Sequence, residues 1–359
     1  MRRSTLCAFP AFLVIAGLAG TAPTARAQQR PDVIRGVVRA GGVRIPYAVV
    51  ELSVRNGKQF TDDSGAFRFG GVPPGAYRLY VRQVGFRPFD STVVKAPGSP
   101  VAIEIDLEPL VVELAAISVS VPRSCAAPGP PDSAIAPEMA VVFDQLRQNA
   151  ERYALLADSY PFHYRMSRVF SDYDERGRVV FTSTDTVQYL SSGRMAYRPG
   201  QVLAFGVGPE HETAKVIRLP TLADFADSVF QASHCFFYAG IVQRDTGSYI
   251  RFDYLPSDSI RFPDIAGEVD LDVHTYQIRY VVIRLTRVSR AMPGLVSTSS
   301  TITFGELYPN VFLPVRMEGV LVPEPRFDVR TPIARSTETQ QLLDVHFQRP
   351  LPGMAPSGP

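Results

Sequence analysis

The sequence predicts a mainly β protein with two unequal parts. These are an N-terminal seven-stranded, Greek-key-like β-sandwich and a larger curved antiparallel sheet domain with one or two helices. Three observations indicate this fold class: short segments that alternate apolar and polar residues in the first third of the chain, turn residues between those segments, and longer alternating segments after residue 160. Alternation with a period of two is typical of strands that have one buried face.

The first 27 residues have the composition of a secretory signal peptide. Arg2 and Arg3 precede a 13-residue apolar segment, Ala8–Gly20, and Ala25 and Ala27 form an A-x-A cleavage site. The apolar segment is shorter than the roughly 20 residues that a membrane-spanning helix needs. We therefore expect export, to the periplasm, the outer membrane or the exterior, and no transmembrane span.

The exported chain is expected to be nearly neutral. Removing residues 1–27 takes away three arginines and no acidic residue, so the formal net charge changes from +2 to −1. A chain without excess positive charge has no electrostatic attraction for nucleic acid. The expected partner is therefore an envelope protein, a glycan or an apolar ligand.

Two cysteines, Cys125 and Cys235, remain after Cys7 leaves with the signal peptide. An even number of cysteines in an oxidising compartment predicts a disulfide between them. The alternative is a catalytic thiol with His234 as its base. Neighbouring residues of a strand point to opposite faces, so His234 cannot easily reach the sulfur of Cys235, and the disulfide is favoured.

Residues 33–109 contain the short strands of the predicted sandwich. The segment "VAIEIDL" (101–107) places four apolar side chains on one face and Ala102, Glu104 and Asp106 on the other. Asn56-Gly57, Asp63-Ser64-Gly65 and Pro74-Gly75 lie between such segments and provide the positive φ angles or the preset φ angles of turns.

Taken in order, these motifs resemble the carboxypeptidase regulatory-like domain, a transthyretin-like β-sandwich often grouped with carbohydrate-binding-like folds. The segments that carry the resemblance are "VIRGVV", "PYAVVEL", "TDDSGAFRFGGVPPGAYRLYV" and "VGF". The resemblance implies a non-catalytic accessory module of an exported protein. It implies no catalytic residue, because the pattern consists of turn and core positions: Gly65, Phe67, Phe69, Pro74, Gly75, Tyr77 and Gly85.

Residues 110–137 are expected to form an apolar strand followed by a proline-rich linker. A helix follows, because apolar residues recur at three- and four-residue steps from Met139 to Ala157, with Pro137 at the start and Pro161 beyond the end. The segment "TLADFADSVF" (221–230) predicts a second helix with Thr221 as its N-cap.

The rest of the domain at residues 138–347 is predicted to form long antiparallel strands that wrap around the first helix. The segments "IAGEVDLDVHTYQI" and "NVFLPVRMEG" resemble hairpins of the half-barrel of periplasmic lipoprotein carriers. That resemblance implies a concave sheet that is able to hold an apolar ligand. Residues 348–359 are predicted to be a disordered tail.

No histidine of the chain lies in the spacing of a zinc peptidase. Neither H-x-x-E nor H-E-x-x-H occurs at any of the five histidines, His163, His211, His234, His274 and His346. Although the first module resembles a domain named after carboxypeptidases, the sequence therefore predicts no catalytic, cofactor-binding or metal-binding residue.

One acidic segment, "GEVDLDVH", supports an alternative interpretation in which the chain has a functional site. It places Glu268, Asp270, Asp272 and His274 on one strand face, where such groups bind Ca²⁺ or act in acid–base catalysis. The other interpretation is a solvated face with a turn at Asp272, and it is favoured because one strand cannot supply convergent ligands. In that case each of the four residues should tolerate alanine.

Together these features predict an exported, non-enzymatic binding or scaffold protein of the bacterial cell envelope. A carrier of apolar ligands or lipoproteins that uses the C-terminal sheet is the alternative. A hydrolase with an unrecognised site is the third hypothesis. A large apolar cavity in the sheet domain would favour the carrier, and a packed interior would favour the scaffold.

Overall fold

The computed structural model describes residues 33–54, 57–112, 124–192, 196–207, 213–217, 221–244, 246–325 and 332–354. The predicted signal peptide, most of the strand expected after residue 110, and residues 355–359 of the expected tail lie outside this part. Within the described part, no helix has the length and hydropathy to cross a membrane.

The N-terminal domain is a sandwich of two four-stranded sheets, as predicted. One sheet has the order β2-β1-β5 with β8 parallel to β1, and the other has the order β4-β3-β6-β7. Eight strands are present instead of seven, because a two-residue strand such as β2 is too short to show an alternating pattern. The strands are β1 (Val33–Ala40), β2 (Val43–Arg44), β3 (Val49–Leu52), β4 (Lys58–Phe60), β5 (Ala66–Gly70), β6 (Gly75–Arg82), β7 (Phe89–Lys95) and β8 (Val101–Asp106).

The turn between β4 and β5 depends on Asp62 and Gly65. One carboxylate oxygen of Asp62 accepts hydrogen bonds from the backbone N–H groups of Ser64 and Ala66, at 2.9 and 2.8 Å. Gly65 has a φ of +74°, which only glycine adopts without strain. A Cβ atom at this position would lie 2.9 Å from the carbonyl oxygen of Val38. The "DDSG" motif is therefore architecture, as the resemblance implied.

Gly65→Val should lower the stability of the sandwich by at least about 2 kcal/mol, because valine resists a positive φ and its Cβ meets the backbone of β1. Thermal denaturation of the full chain, followed by circular dichroism, measures the effect. Gly70→Val is the matched control, since Gly70 also lies beside a turn but has an ordinary φ and open space around its Cβ position. Equal midpoints for the two variants would contradict this account of the turn.

The second domain begins with helix α1 (Pro137–Ser159), which carries proline in its first turn. The bounds of this helix and the proline at its start agree with the helix predicted from the spacing of the apolar residues. The residues that α1 buries are Val142, Phe143, Gln145, Leu146, Gln148, Asn149, Ala150, Arg152, Tyr153, Leu156 and Ala157. A short 3₁₀ helix (Leu222–Ala226) and two further short helices, α2 (Ser228–Ser233) and α3 (Val288–Ala291), complete the helical content of the described residues.

Nine strands form one open antiparallel sheet in the order β10-β9-β19-β18-β17-β16-β15-β14-β13. The final strand inserts between β9 and β18, so the end of the domain pairs with its beginning. A separate hairpin contains β11 (Leu203–Val207) and β12 (Thr213–Ile217). The sheet strands are β9 (Phe162–Tyr173), β10 (Val179–Leu190), β13 (His234–Arg244), β14 (Gly247–Pro256), β15 (Ile265–Asp272), β16 (Ile278–Leu285), β17 (Leu295–Tyr308), β18 (Val311–Pro323) and β19 (Arg335–Phe347).

Helix α1 packs against one side of this sheet, which we call the inner face. Phe143 of α1 contacts the rings of Phe236 and Phe252, with centroid distances of 4.7 and 6.1 Å. Residues of β9 such as Met166 belong to the same buried cluster, although β9 and β14 lie far apart in the sheet. The space left between α1 and the ends of β16 and β18 is only about 20 Å³.

The sandwich and the sheet domain share buried surface. Tyr47, Val49, Phe60 and Val84 of the sandwich belong to the cluster around α1 instead of the cluster inside the sandwich. Arg152 of α1 is 9% exposed, and its guanidinium donates hydrogen bonds to the side chain of Gln83 and the backbone carbonyl of Asn310. Burial lowers the pKa of Arg152 to about 10, so the group remains a cation at neutral pH.

A disordered tail was predicted for residues 348–359. Residues 348–354 instead pack against the second domain. Leu351 is 1% exposed within the core around α1. The backbone N–H of Gln348 donates to the carbonyl of Pro161 at 2.7 Å. The proline-rich composition suggested disorder, but Leu351 and Met354 pack against the cluster around α1.

Candidate functional site

The two cysteines join the linker to the edge of the large sheet. Cys125 and Cys235 form a disulfide with a Cα–Cα distance of 5.6 Å, as predicted. Beside it, the N–H of Gly129 donates to the carbonyl of His234 at 2.8 Å, and Gly129 forms a β-bridge with Cys235. A bonded sulfur is not a thiolate nucleophile, so the disulfide removes the catalytic-thiol alternative.

His234 points into the core, away from the disulfide. Its two ring nitrogens lie 2.9 Å from the carbonyl oxygen of Phe230 and 3.2 Å from that of Ile265. Its ring stacks on Phe230 with a centroid distance of 4.1 Å. Burial lowers the pKa of His234, against the hydrogen bond to Phe230 and the nearby carboxylate of Asp264. The residue is a packed core histidine.

The acidic segment of β15 is not the solvated face that the alternation suggested. Asp270 is 0% exposed and accepts hydrogen bonds from Arg244 and Arg251, at 2.6 and 2.7 Å. Glu268 pairs with Arg251 and Arg284, at 3.1 and 2.5 Å. The face is covered because Arg244 of β13, Arg251 of β14 and Arg284 of β16 pair with the two acids. The expectation that Asp270 tolerates alanine rested on a solvated face, which the structure does not have.

The end of the same segment forms a turn, as expected. Asp272 accepts hydrogen bonds from the backbone N–H groups of His274 and Thr275, at 3.0 and 2.9 Å. These bonds lower the pKa of Asp272 although burial opposes the change. Within the described residues, no group of three His, Cys, Asp or Glu side chains is placed to hold a metal ion.

The inner face continues beyond α1 as an open groove of about 340 Å³, which we call the sheet groove. Its floor lies on β17, β18, β19 and β9, and Met292 lies at one side. The cross-strand register arranges the floor in three rows, of which Arg168 and Asp172 are end residues beyond the lining of the groove. The rows are Ile302, Met317, Gln340 and Arg168; Ser300, Gly319, Glu338 and Phe170; and Thr298, Leu321, Ser336 and Asp172.

The absence of a side chain at Gly319 deepens the middle row. A Cβ atom there would make only ordinary contacts, 3.7 Å from Cβ of Glu338 and 4.0 Å from Oγ of Ser300. Its φ does not lie in the left-handed region, so neither backbone strain nor crowding requires glycine. A glycine inside a strand often marks a place where a ligand approaches the backbone.

Two of the polar side chains that line the sheet groove, Glu338 and Gln340, bond to each other. Gln340 donates to Glu338 at 2.5 Å and accepts from the hydroxyl of Tyr189 at 2.9 Å. Burial raises the pKa of Tyr189, so its hydroxyl stays protonated and donates. The apolar part of the lining consists of Phe170, Met292, Ile302, Met317 and Leu321.

The sandwich has its own surface groove, of about 600 Å³, beside β1, β5 and β8. Arg35, Arg68 and Glu104 line it together with residues of the C-terminal segment. Glycan sites generally present exposed aromatic rings for stacking on the sugar. No aromatic residue in the described part of the sandwich is exposed, so this surface does not favour a glycan over another partner.

The sequence did not assign the sheet groove, although it predicted long antiparallel strands in this domain. The available signals were Gly319 inside a strand and the alternation of Thr298, Ser300 and Ile302. Neither signal shows that β9 lies beside β19, because that pairing joins residues more than 150 positions apart.

The comparisons with known proteins support the assignment of the first domain. Residues 33–108 match the family model of the carboxypeptidase regulatory-like domain. This confirms the resemblance that the turn and core motifs of the sandwich carried. No curated protein matched the sequence.

Among solved structures, similar folds include two of the lipoprotein-carrier type. A LolA superfamily protein from Nitrosomonas europaea is 10% identical, with 58% of this chain and 94% of that chain covered and a TM-score of 0.32. A lipoprotein-sorting protein domain from Vibrio parahaemolyticus has the same identity and coverage and a TM-score of 0.34. At these scores the similarities carry no inference about ligand or activity.

A minor pilin from Streptococcus agalactiae is also similar, at 19% identity and a TM-score of 0.21. The match covers 25% of this chain and 49% of the pilin, so the chain spans about half the length of that protein. What the pilin assembles with is therefore not transferred to this chain.

Proposed function

We propose that this protein is an exported, non-enzymatic binding protein of the bacterial cell envelope. The sandwich acts as a rigid support, and the sheet groove holds an apolar chain, such as the acyl chain of a lipid or lipoprotein. This joins the scaffold and carrier hypotheses in one molecule, because α1 fills one part of the inner face while another part stays open.

The observation that carries the proposal is the composition of the sheet groove. A volume of about 340 Å³ lies at the lower end of the range for small-molecule sites, roughly 300–1,000 Å³. Methionine side chains adapt to ligands of different shape, and Met292 and Met317 both line the space. The hydrogen bond between Glu338 and Gln340 leaves fewer polar groups free to bind a sugar or a peptide backbone.

The non-enzymatic part of the proposal has separate support. Acid–base catalysis needs groups that converge on one substrate atom. Glu268 and Asp270 of β15 are paired with arginines, His234 is enclosed in the core, and the two described cysteines are bonded to each other. A screen with peptide, ester and glycan substrates tests this part, and turnover that Asp270→Asn abolishes would contradict it.

The binding test is a titration of the protein with parinaric acid, a slender fatty acid whose fluorescence rises in apolar surroundings. We expect saturable binding that Gly319→Leu weakens at least about tenfold, equivalent to roughly 1.4 kcal/mol, because leucine fills the middle row. Gly70→Leu is the matched control, since it adds the same side chain to an open position of the sandwich.

Two results would contradict the proposal. One is the absence of saturable binding. The other is equal affinity of the wild-type protein and the Gly319→Leu variant, which would place the fatty acid elsewhere. Thermal denaturation of both variants shows whether each remains folded.

A further inference from the structure

The two edges of the nine-stranded sheet differ. At the β13 edge, the bridge from Gly129 and the disulfide from Cys125 cover the beginning of the strand. At the other edge, β10 is twelve residues long, and ten of its residues are exposed. Within the described part of the chain, no segment pairs with the outer side of β10. Its outward backbone N–H and C=O groups therefore have no strand partner among these residues.

Proteins often protect such an edge with proline, lysine or β-bulges, and of these β10 has only a register shift between Val179 and Phe181. Val179–Leu190 ("VVFTSTDTVQYL") has no proline, lysine or arginine. Its single charge, Asp185, pairs with Arg168 of the neighbouring strand, at 2.8 Å. The rest of the strand is rich in β-branched and aromatic residues, which favour strand pairing. This edge is thus suited to pairing with another strand.

We propose that a second copy of this chain pairs with it, β10 against β10, in antiparallel register about Thr184. This register keeps the inner faces of both sheets on the same side. It places Phe181 opposite Val187, Thr182 opposite Thr186, and Thr184 opposite its own copy. Aromatic–aliphatic and Thr–Thr pairs are favourable cross-strand neighbours.

Registers shifted by one residue in either direction have less favourable cross-strand side-chain pairs. A centre at Asp185 sets two carboxylates directly opposite each other, and a centre at Ser183 sets Phe181 opposite Asp185. The centre at Thr184 instead places Asp185 opposite Ser183, whose hydroxyl is able to donate to it. This self-complementarity is the reason for assigning the edge to a second copy instead of an unrelated peptide. Pairing would also cover part of Phe181, which is 52% exposed.

The test is disulfide trapping in the chain from residue 28 onward, which lacks Cys7. Directly opposed residues have Cβ atoms about 4.5–5.5 Å apart, so Thr184→Cys should give a covalent dimer on mild oxidation. Thr182→Cys and Thr186→Cys are matched controls, because each lies four positions from its own copy. Neither should cross-link alone, whereas a mixture of the two variants should.

Light scattering after size-exclusion chromatography gives the second readout. We expect a dimer for the wild-type chain across a concentration series, and a monomer for Thr184→Arg, which sets two cations opposite each other. Thr92→Arg, on an exposed strand of the sandwich, should stay dimeric. A monomeric wild-type chain, as expected if another segment of the same chain covers β10, would overturn the proposal. Equal cross-linking at positions 182, 184 and 186 would overturn the register.

Discussion

Replacing both Cys125 and Cys235 with alanine is expected to lower the free energy of unfolding by about 4–5 kcal/mol in the chain-entropy model. The cross-link closes a loop across a sequence separation of 110, which restricts the unfolded chain strongly. Both cysteines are buried in the folded state, at 1% and 6% exposure, so alanine is a better replacement than a polar residue.

Equilibrium unfolding in guanidinium chloride measures this effect. The wild-type protein unfolded with a reducing agent is the control, because it loses the bond without any change of sequence. It should approach the midpoint of the double variant. If the double variant and the oxidised wild type unfold at the same midpoint, the disulfide does not constrain the chain as described.

The second large effect is expected at Asp270. Alanine there should destabilise the protein by about 3 kcal/mol, because it leaves the guanidinium groups of Arg244 and Arg251 without their buried partner. Their side chains are 28% and 21% exposed, so water offsets only part of the loss. Asp270→Asn should be milder, since it keeps the size and the hydrogen-bond acceptor.

Asp185→Ala provides the matched comparison for Asp270→Ala. Asp185 also pairs with an arginine of a neighbouring strand, but its side chain is 53% exposed, and surface ion pairs contribute little. Thermal unfolding of the two variants compares the loss of a buried aspartate–arginine pair with the loss of an exposed one. Equal midpoints would mean that the pairs around Asp270 are as dispensable as a surface pair.

The burial of Asp270 could not be predicted from the sequence. The alternation in β15 correctly placed Val269 and Leu271 in the core and Asp270 on the other face. It could not show that this other face is covered, because the arginines come from β13 and β14 and meet the aspartate only through the register of the sheet. Period-two patterns define the two faces of a strand, but what lies on each face depends on tertiary pairing.

Local signals were sufficient for the sandwich turns and for α1, and the even number of cysteines was sufficient for the disulfide. Gly65 and Asp62 act within a few residues, and the spacing of the α1 residues is a property of one helix. The surface that the two domains share could not be predicted from such signals. Val49 and Phe60 alternate like core residues of the sandwich, yet they pack in the cluster around α1.

The sheet groove depends on long-range pairing in the same sense. Its middle row joins Ser300, Gly319, Glu338 and Phe170, which lie on four strands. Gly319 is unusual inside a strand, but the other three residues are ordinary within their own segments. Only the insertion of β19 between β9 and β18 brings them into one site.

The central claim is that the sheet groove holds an apolar chain, and photo-cross-linking tests it most directly. A fatty acid with a diazirine in its chain is bound to the wild-type protein and irradiated, and the labelled peptides are identified by mass spectrometry. We expect labels on β17, β18 and β9, at residues such as Ile302, Met317, Leu321 and Phe170, and their loss in the Gly319→Leu variant. Labels confined to the sandwich, or labels on the sheet that persist in Gly319→Leu, would contradict the account.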